Sequence, residues 1–375
     1  MTDNPFIIKG FISKDLFCDR VDELQLLKRN VRAGIDTTLI SPRRMGKTGL
    51  IFRFFEEVTD TGIETLYVDI YASRDINDLI KLLAEAILLK FPEKSTIGRR
   101  FMDFLKGLRP SVSFDPLSGA PKVSILHQND QQKEHSLKSL LEFIDRQKKT
   151  ILVALDEFQQ INEYPEQNTE ALLRSYIQQL KNIRFIFCGS KRSLMLDMFA
   201  NVKRPFYAST QFLSLEEIEK DTYATFIKEL FQKHKRNIST ESVEYILEWS
   251  RRHTFYTQRL CNQVFSMCYK KPGIEEVKEA CLSLLKSNEA VFFQYRQLLT
   301  SAQWNFLIAL AKEEEVRHIT AQDFLAKYGI GTPANAKRIN ESLIEKELIL
   351  NIPDMQGNTY RVYDVFFSRW LEMEY

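Results

Sequence analysis

The chain has 375 residues, 44% hydrophobic and 27% charged, too long for one compact core and too apolar for disorder, so two or three domains are expected. Its net charge of +2 lies too near zero to argue for or against nucleic acid, and only local patches can decide that. No apolar run approaches the roughly 18 residues of a membrane span. The start, Met1-Thr2-Asp3-Asn4-Pro5, has no signal-peptide pattern, the five cysteines (18, 188, 261, 268, 281) form no C-x-x-C, and the five histidines no cluster; a reduced, cytoplasmic protein without a side-chain metal cluster is expected.

In chain order, TTLIS (37–41) reads as a short buried strand and KTGLIFRFFEEV (47–58) as the helix that leaves it. ETLYVDIY (64–71) is a second strand, followed by an amphipathic helix from 76 with Asp75 placed to cap it. A helix over about 95–108 and two alternating runs around Asp115-Pro116-Leu117-Ser118-Gly119 (111–126) form an insertion, the runs reading as a β-hairpin. After a further helix come strands TILVALDE (150–157), IRFIFCGS (183–190) and TQFLSL (210–215). Strands alternating with helices predict an α/β core, 1–215, with a five-stranded parallel sheet covered on both faces.

From 216 the pattern is helical: three or four helices, the last pattern over 274–286, with no strong strand between them make an all-helical domain, 216–299. Three helix patterns then precede the strand-like runs ILNI and TYRVYD around Pro353-Asp354-Met355-Gln356-Gly357-Asn358. Three helices and a hairpin predict a winged helix-turn-helix over 300–375.

The stretch LISPRRMGKTGL (39–50) nearly spells the phosphate-binding pattern G-x-x-x-x-G-K-[ST], with Gly46-Lys47-Thr48 in place but Ser41 where the first glycine belongs. A strand enters and a helix leaves, so backbone N–H donors, a compact cation and a hydroxyl for Mg²⁺ come together. Gly46 allows close backbone approach, Ser41 can turn out of the strand if its φ stays negative, and Pro42 stiffens the loop. In ILVALDEF (151–158) a buried strand beside the loop ends in two carboxylates. Asp156 fits a metal-placing role, and Glu157 can orient or deprotonate an attacking water. Ser190, ending the next strand, is a candidate contact for a terminal phosphate or that water.

On these motifs the sequence resembles the archaeal-type ATPases of the STAND branch of AAA+-like P-loop NTPases. FCDRVDELQLL (17–27) resembles an F-x-x-R-x-x-E-L element near the adenine, SPRRMGKTGL a loop variant of Walker A, LDEFQQI the acidic Walker B strand, and DVFFSRWL (364–371) a C-terminal signature. The resemblance implies ATP with Mg²⁺, a helical lid, and contacts to nucleotide at Arg20, Met45, Gly46, Lys47, Thr48 and Gly49. Arg43 and Arg44 can bind the triphosphate, pair with Asp156 or Glu157, or meet a partner surface; the preferred reading puts one on phosphate or the acidic pair and the other facing the lid. Lys47 would hold β- and γ-phosphates, and Thr48 and Asp156 the metal. The family's G-x-P-F-Y-T-Q turn is replaced here by RRHTFYTQRL, with His253-Thr254 at the turn. Arg259 reads as a structural helix arginine rather than a lid arginine on the phosphate.

Two functions compete. The first is a slow Mg²⁺-dependent ATPase acting as a nucleotide-dependent switch or signalling ATPase, with a protein partner or self-association. The second is a DNA-binding regulator or replication-initiator-like AAA+ protein using the winged helix. Lys337, Arg338 and Lys346 are balanced by Glu341, Glu345 and Glu347, so a protein contact is favoured over nucleic acid.

Overall fold

The computed structural model describes residues 4–8, 10–11, 13–107, 110–125, 127, 129–267, 269–354 and 357–375. Residues 1–3, Cys268, the wing-turn residues Met355 and Gln356, and positions 108 and 126 at the ends of an expected helix and hairpin lie outside these. The chain folds into two compact units, Lys9–Glu217 and Met1–Ile8 with Ile218–Tyr375.

In the first unit, α1 (Val21–Ala33) precedes β1 (Thr37–Ile40), and α2 (Lys47–Val58) precedes β2 (Glu64–Asp69). Next come α3 (Ile76–Lys90), α4 (Thr96–Gly107), the hairpin β3 (Pro110–Phe114) and β4 (Pro121–Ile125), and α5 (Asp130–Asp145). The unit closes with β5 (Ile151–Asp156), α6 (Thr169–Ile177), β6 (Ile183–Gly189), α7 (Arg192–Ala200) and β7 (Gln211–Ser214). The Asp75 carboxylate accepts the Asp78 N–H and caps α3 as expected.

The five parallel strands run in the order β2-β5-β6-β1-β7. Alternation along each strand feeds two cores. Ile151, Val153 and Leu155 of β5 and Phe185 and Phe187 of β6 join the helices α3 to α7 on one face. Leu152, Ala154, Ile186 and Cys188 join α1 and α2 on the other. Burial on both faces explains why these strands read as unbroken apolar runs. The sequence placed the acidic strand beside the loop strand; in the sheet β6 lies between them. Strand order is set by which helices cover each face, which local pattern does not encode.

The hairpin forms its own two-stranded sheet. It is anchored by Val123 and Ile125 in the core and by the Val123 N–H on Glu85 Oε1 at 2.9 Å. At its tip Asp115 Oδ1 accepts the Leu117 and Ser118 N–H groups, each at 3.0 Å.

The second unit contains α8 (Lys220–Lys233), α9 (Thr240–Trp249), α10 (Thr254–Ser266) and α11 (Ile274–Leu298). They are followed by α12 (Ser301–Glu313), α13 (Gln322–Tyr328), α14 (Pro333–Glu345), the hairpin β8 (Ile349–Asp354) and β9 (Gly357–Val362), and α15 (Val365–Glu374). Residues 4–8 belong here: Phe6 is buried against Phe231 and Phe265, and Asn4 Nδ2 donates to the Asn262 carbonyl at 2.9 Å. The helix expected over 274–286 continues to Leu298. Its extension supplies Phe292, which packs with Phe367 and Trp370 of α15. The signature segment DVFFSRWL is therefore a helix whose aromatic face joins α11 and α12, the latter through Trp304.

At the RRHT turn, Arg251 and Arg252 take left-handed φ values of 53° and 51°, which cost side-chain-bearing residues about 1 kcal/mol each. Arg251 Nη2 donates to Ser368 Oγ at 3.1 Å and to Glu372 Oε1 at 3.3 Å. Arg369 Nε donates to the Trp249 carbonyl at 3.1 Å. The strained turn is thus pinned to α15. No helix among the described residues is long and apolar enough to cross a membrane.

Asp36, at the entry to β1, is half-buried and accepts the Phe185 N–H at 2.8 Å. Burial pushes its carboxyl up from 3.8 to about 6, against the lowering effect of that hydrogen bond and of Arg184 and Arg174. Between those values the native state keeps a proton that the unfolded chain has released, so stability falls as pH rises through the window. Relative to wild type, Asp36→Asn is predicted to gain on the order of 1–2 kcal/mol between roughly pH 4 and pH 7. Thermal melts of both proteins across that range check it; a constant difference contradicts it.

Candidate functional site

Strand β1 delivers the chain into the loop at its C-terminal end. Ser41 is fully buried and is not among the residues with positive φ, so a serine suffices where the pattern has glycine. Arg44 at φ 63° and Gly46 at φ 98° supply the left-handed turns that curl the loop back to the start of α2. Met45, expected to meet the nucleotide, has its side chain buried. Lys47, Thr48 and Gly49 form the first turn of α2, where N–H groups and the helix dipole favour an anion.

The Lys47 ammonium is buried and bonded to its own loop, donating to the Ser41 carbonyl at 3.1 Å and the Pro42 carbonyl at 3.2 Å. A buried cation surrounded by neutral carbonyl dipoles is the complement of a bound anion. Arg43 is partly buried and Arg44 exposed. Arg20 is buried; Nη1 pairs with Glu23 at 2.8 Å and Nη2 donates to the Glu216 carbonyl at 2.8 Å. These bonds tie the start of α1 to the segment after β7.

Thr48 Oγ1 donates to Asp156 Oδ2 at 3.0 Å, so the loop and the acidic strand meet although β6 separates them. The buried Asp156 also accepts its neighbour's N–H, from Glu157, on Oδ1 at 3.0 Å. Glu157 itself is left-handed, φ 56° and ψ 42°, which ends β5 one residue before the expected limit. Its Oε2 accepts from Ser190 Oγ at 2.8 Å and from Gln159 Nε2. The predicted residues Lys47, Thr48, Asp156, Glu157 and Ser190 therefore lie at the C-terminal edge of β1, β5 and β6.

Three further residues complete this edge. The Tyr67 hydroxyl donates to Asp156 Oδ2 at 2.6 Å; burial first, then the Asp156 charge, pushes its phenol up, so it stays a donor. Asp69 pairs in register with Asp156, and burial raises its carboxyl, with Asp156 and Glu157 adding to the rise against a bond from the Tyr71 N–H. Gln159 is buried beside Glu157. Only Gln159 had a cue, two residues past the acidic pair. Cys188, fully buried beneath the site, has its thiol raised by burial and by Asp156 and is an inert packing residue.

The donor set fits a magnesium nucleotide: an oxygen-only pair, Thr48 and Asp156, suits a hard cation, and the Lys47 ammonium with the α2 N-terminus suits phosphate. These residues would hold both.

A family model described as an ATPase domain predominantly from Archaea matches residues 17–251, and one described as a probable winged helix domain matches 290–373. Among solved structures, a Walker-type ATPase of Pyrococcus abyssi superposes with a TM-score of 0.66 at 18% identity, over 98% of this chain and 99% of the other. The Aeropyrum pernix ORC2 protein in ADPNP–ADP complexes gives 0.58 at 15%, over 99% and 96%. The Aeropyrum pernix ORC1 protein in complex with DNA gives 0.51 at 12%, over 96% and 94%. These likenesses are of fold. No curated protein matches the chain.

Gly189, before Ser190, has no room for a side chain: a Cβ would lie 2.4 Å from Gln159 Oε1 and 2.6 Å from Met195 Cγ. Gly189→Ala is predicted to destabilise by about 1–3 kcal/mol and, by displacing Gln159 from Glu157 and loosening the hold on that carboxylate, to raise turnover, while nucleotide affinity holds. Melting, turnover and nucleotide titration on one preparation check this; unchanged turnover contradicts it.

Proposed function

We propose that this chain, which belongs to the family of ATPase domains found predominantly in Archaea, is a slow Mg²⁺-dependent ATPase that works as a conformational switch. That it is an ATP-binding ATPase with a winged helix rests on the family and the fold. The slow rate and the switching role are our reading, as is its place in the STAND branch. So are the division into core 1–215 (residues 4–8 excepted, which pack in the second unit), helical lid 216–299 and winged helix 300–375, a cytoplasmic location, and a protein partner or second copy. The observation that carries the reading is the Thr48–Asp156 bond of 3.0 Å with Glu157 held next to it by Ser190 at 2.8 Å.

Each residue then has a task. Lys47 exchanges the carbonyls of Ser41 and Pro42 for β- and γ-phosphate oxygens. The N–H groups of Gly46 to Gly49 receive further oxygens, and Arg43 or Arg44 adds charge at the loop. Thr48 and Asp156 place the metal, which when bound neutralises phosphate charge. Glu157 orients the attacking water and accepts its proton, and Ser190 contacts the terminal phosphate. Supporting a slow rate, Glu157 Oε2 is already engaged by Ser190 and Gln159, so its hold must loosen before it meets water. Supporting a switch, α15 joins the helices after 218 to the winged helix through aromatic packing and the Arg251–Glu372 pair, so a change felt by these helices reaches the wing as a rigid displacement.

The DNA-binding reading draws on the ORC1 neighbour with DNA. Against it, the exposed residues of α14 and its C-cap mix Lys337, Arg338 and Lys346 with Glu341 and Glu345, a poor match for a phosphate backbone.

Lys47→Ala is predicted to abolish ATP binding, and Glu157→Gln to retain it while lowering turnover about 10²–10⁴-fold. Calorimetry and phosphate release check both; a wild type without turnover above background overturns the ATPase mechanism. In a mobility-shift titration the chain is predicted to show no salt-dependent binding to duplex DNA. Micromolar binding that weakens steeply with salt instead supports the second reading.

A further inference from the structure

Asp156 has about four lone-pair sites to fill when ionised. Oδ1 takes the Glu157 N–H at 3.0 Å, and Oδ2 takes both Thr48 Oγ1 at 3.0 Å and the Tyr67 hydroxyl at 2.6 Å. The phenol bond has the length of a charge-assisted O–H···O⁻ contact; the threonine bond is an ordinary one. Tyr67 reaches Asp156 from β2, the strand next to β5 and on the side away from the loop. Its ring is fixed against Phe52 of α2 with centroids 4.9 Å apart. The carboxylate is thus gripped from two sides by groups that are 19 residues apart in the chain yet meet on one oxygen.

We propose that Tyr67 is a positioning residue for the metal: by donating to Asp156 Oδ2 it fixes the carboxylate so that Asp156 accepts the Thr48 hydroxyl's hydrogen bond and leaves the lone pairs of Thr48 Oγ1 able to bind the cation. The logic is that of an outer-shell partner. A carboxylate with one firm donor and one N–H cannot turn about its Cβ–Cγ bond without breaking both. A hydroxyl whose proton is committed presents only its lone pairs to a cation. Without the phenol, Asp156 loses its fixed orientation, and Thr48 can rotate its proton toward the cation site. The phenol touches neither nucleotide nor water in this account; it acts through Asp156.

This inference rests on the magnesium-nucleotide reading above, and its test separates the two. Tyr67→Phe keeps the ring against Phe52 and removes only the hydroxyl. ATP binding is measured by calorimetry, first in EDTA and then along a Mg²⁺ titration, with the melting temperature of the nucleotide-free protein as a control for folding. The expected result is unchanged ATP affinity in EDTA and a Mg²⁺ midpoint raised about 10-fold, the usual loss on removing an outer-shell partner. In a Thr48→Ala background the same substitution should shift the midpoint less than about twofold, because the two act through one carboxylate. A Mg²⁺ midpoint equal to wild type overturns the proposal, as does a loss of ATP affinity already present in EDTA. A wild-type protein that binds no ATP overturns the magnesium-nucleotide reading and this inference with it.

Discussion

One hydrogen bond, Thr48 Oγ1 to Asp156 Oδ2, spans 108 positions of sequence and bridges from the loop after β1 to the end of β5 across an intervening strand. It forms only if three strands are parallel and in register, and if the residue beneath it is small. Leu39 pairs with Cys188, and Leu155 with Phe187, so β6 brings Cys188 to the level of the bond on the face covered by α2. A bulkier side chain there would lift α2 from the sheet. The two-faced core therefore serves the chemistry directly: it sets the height at which a hydroxyl from a helix meets a carboxylate from a strand.

The same edge concentrates backbone strain. Arg44 and Glu157 take left-handed φ values of 63° and 56° without being glycine, as does Arg20 at 73°. Such residues cost about 1–3 kcal/mol each and persist where their surroundings over-determine them. Arg20 is so held by Glu23 and the Glu216 carbonyl, and Glu157 by Ser190 and Gln159. The second unit repeats the device: Arg251 and Arg252 turn left-handed and α15 holds Arg251. Here the chain uses side-chain bonds where glycine would have made the turn without them.

Much of this was legible in the sequence because the signals were local. A buried run followed by Gly46-Lys47-Thr48, and another ending in Asp156-Glu157, each state strand, turn and chemistry within a dozen residues. The helix of the loop spans the expected Lys47–Val58, and Asp75 caps where its spacing said. What escaped is whatever depends on which elements touch. Tyr67 reads as an ordinary strand aromatic, alternating with Leu66 and Val68, until β2 is laid beside β5. The place of β6 between the two motifs follows from sheet order. The demand for glycine at 189 comes from Gln159 and Met195, on two other elements. Asn4 and Phe6 carry no local pattern, yet they pack on α8 and α10.

The most direct measurement is a crystal structure with a non-hydrolysable ATP analogue and Mg²⁺. The account predicts the triphosphate against the start of α2 with Lys47 Nζ moved from the Ser41 and Pro42 carbonyls onto phosphate. It also predicts the metal on Thr48, with Asp156 still bonded to both Thr48 and Tyr67. A metal bound away from Thr48 and Asp156, or an analogue bound with Lys47 still on its own carbonyls, would contradict it.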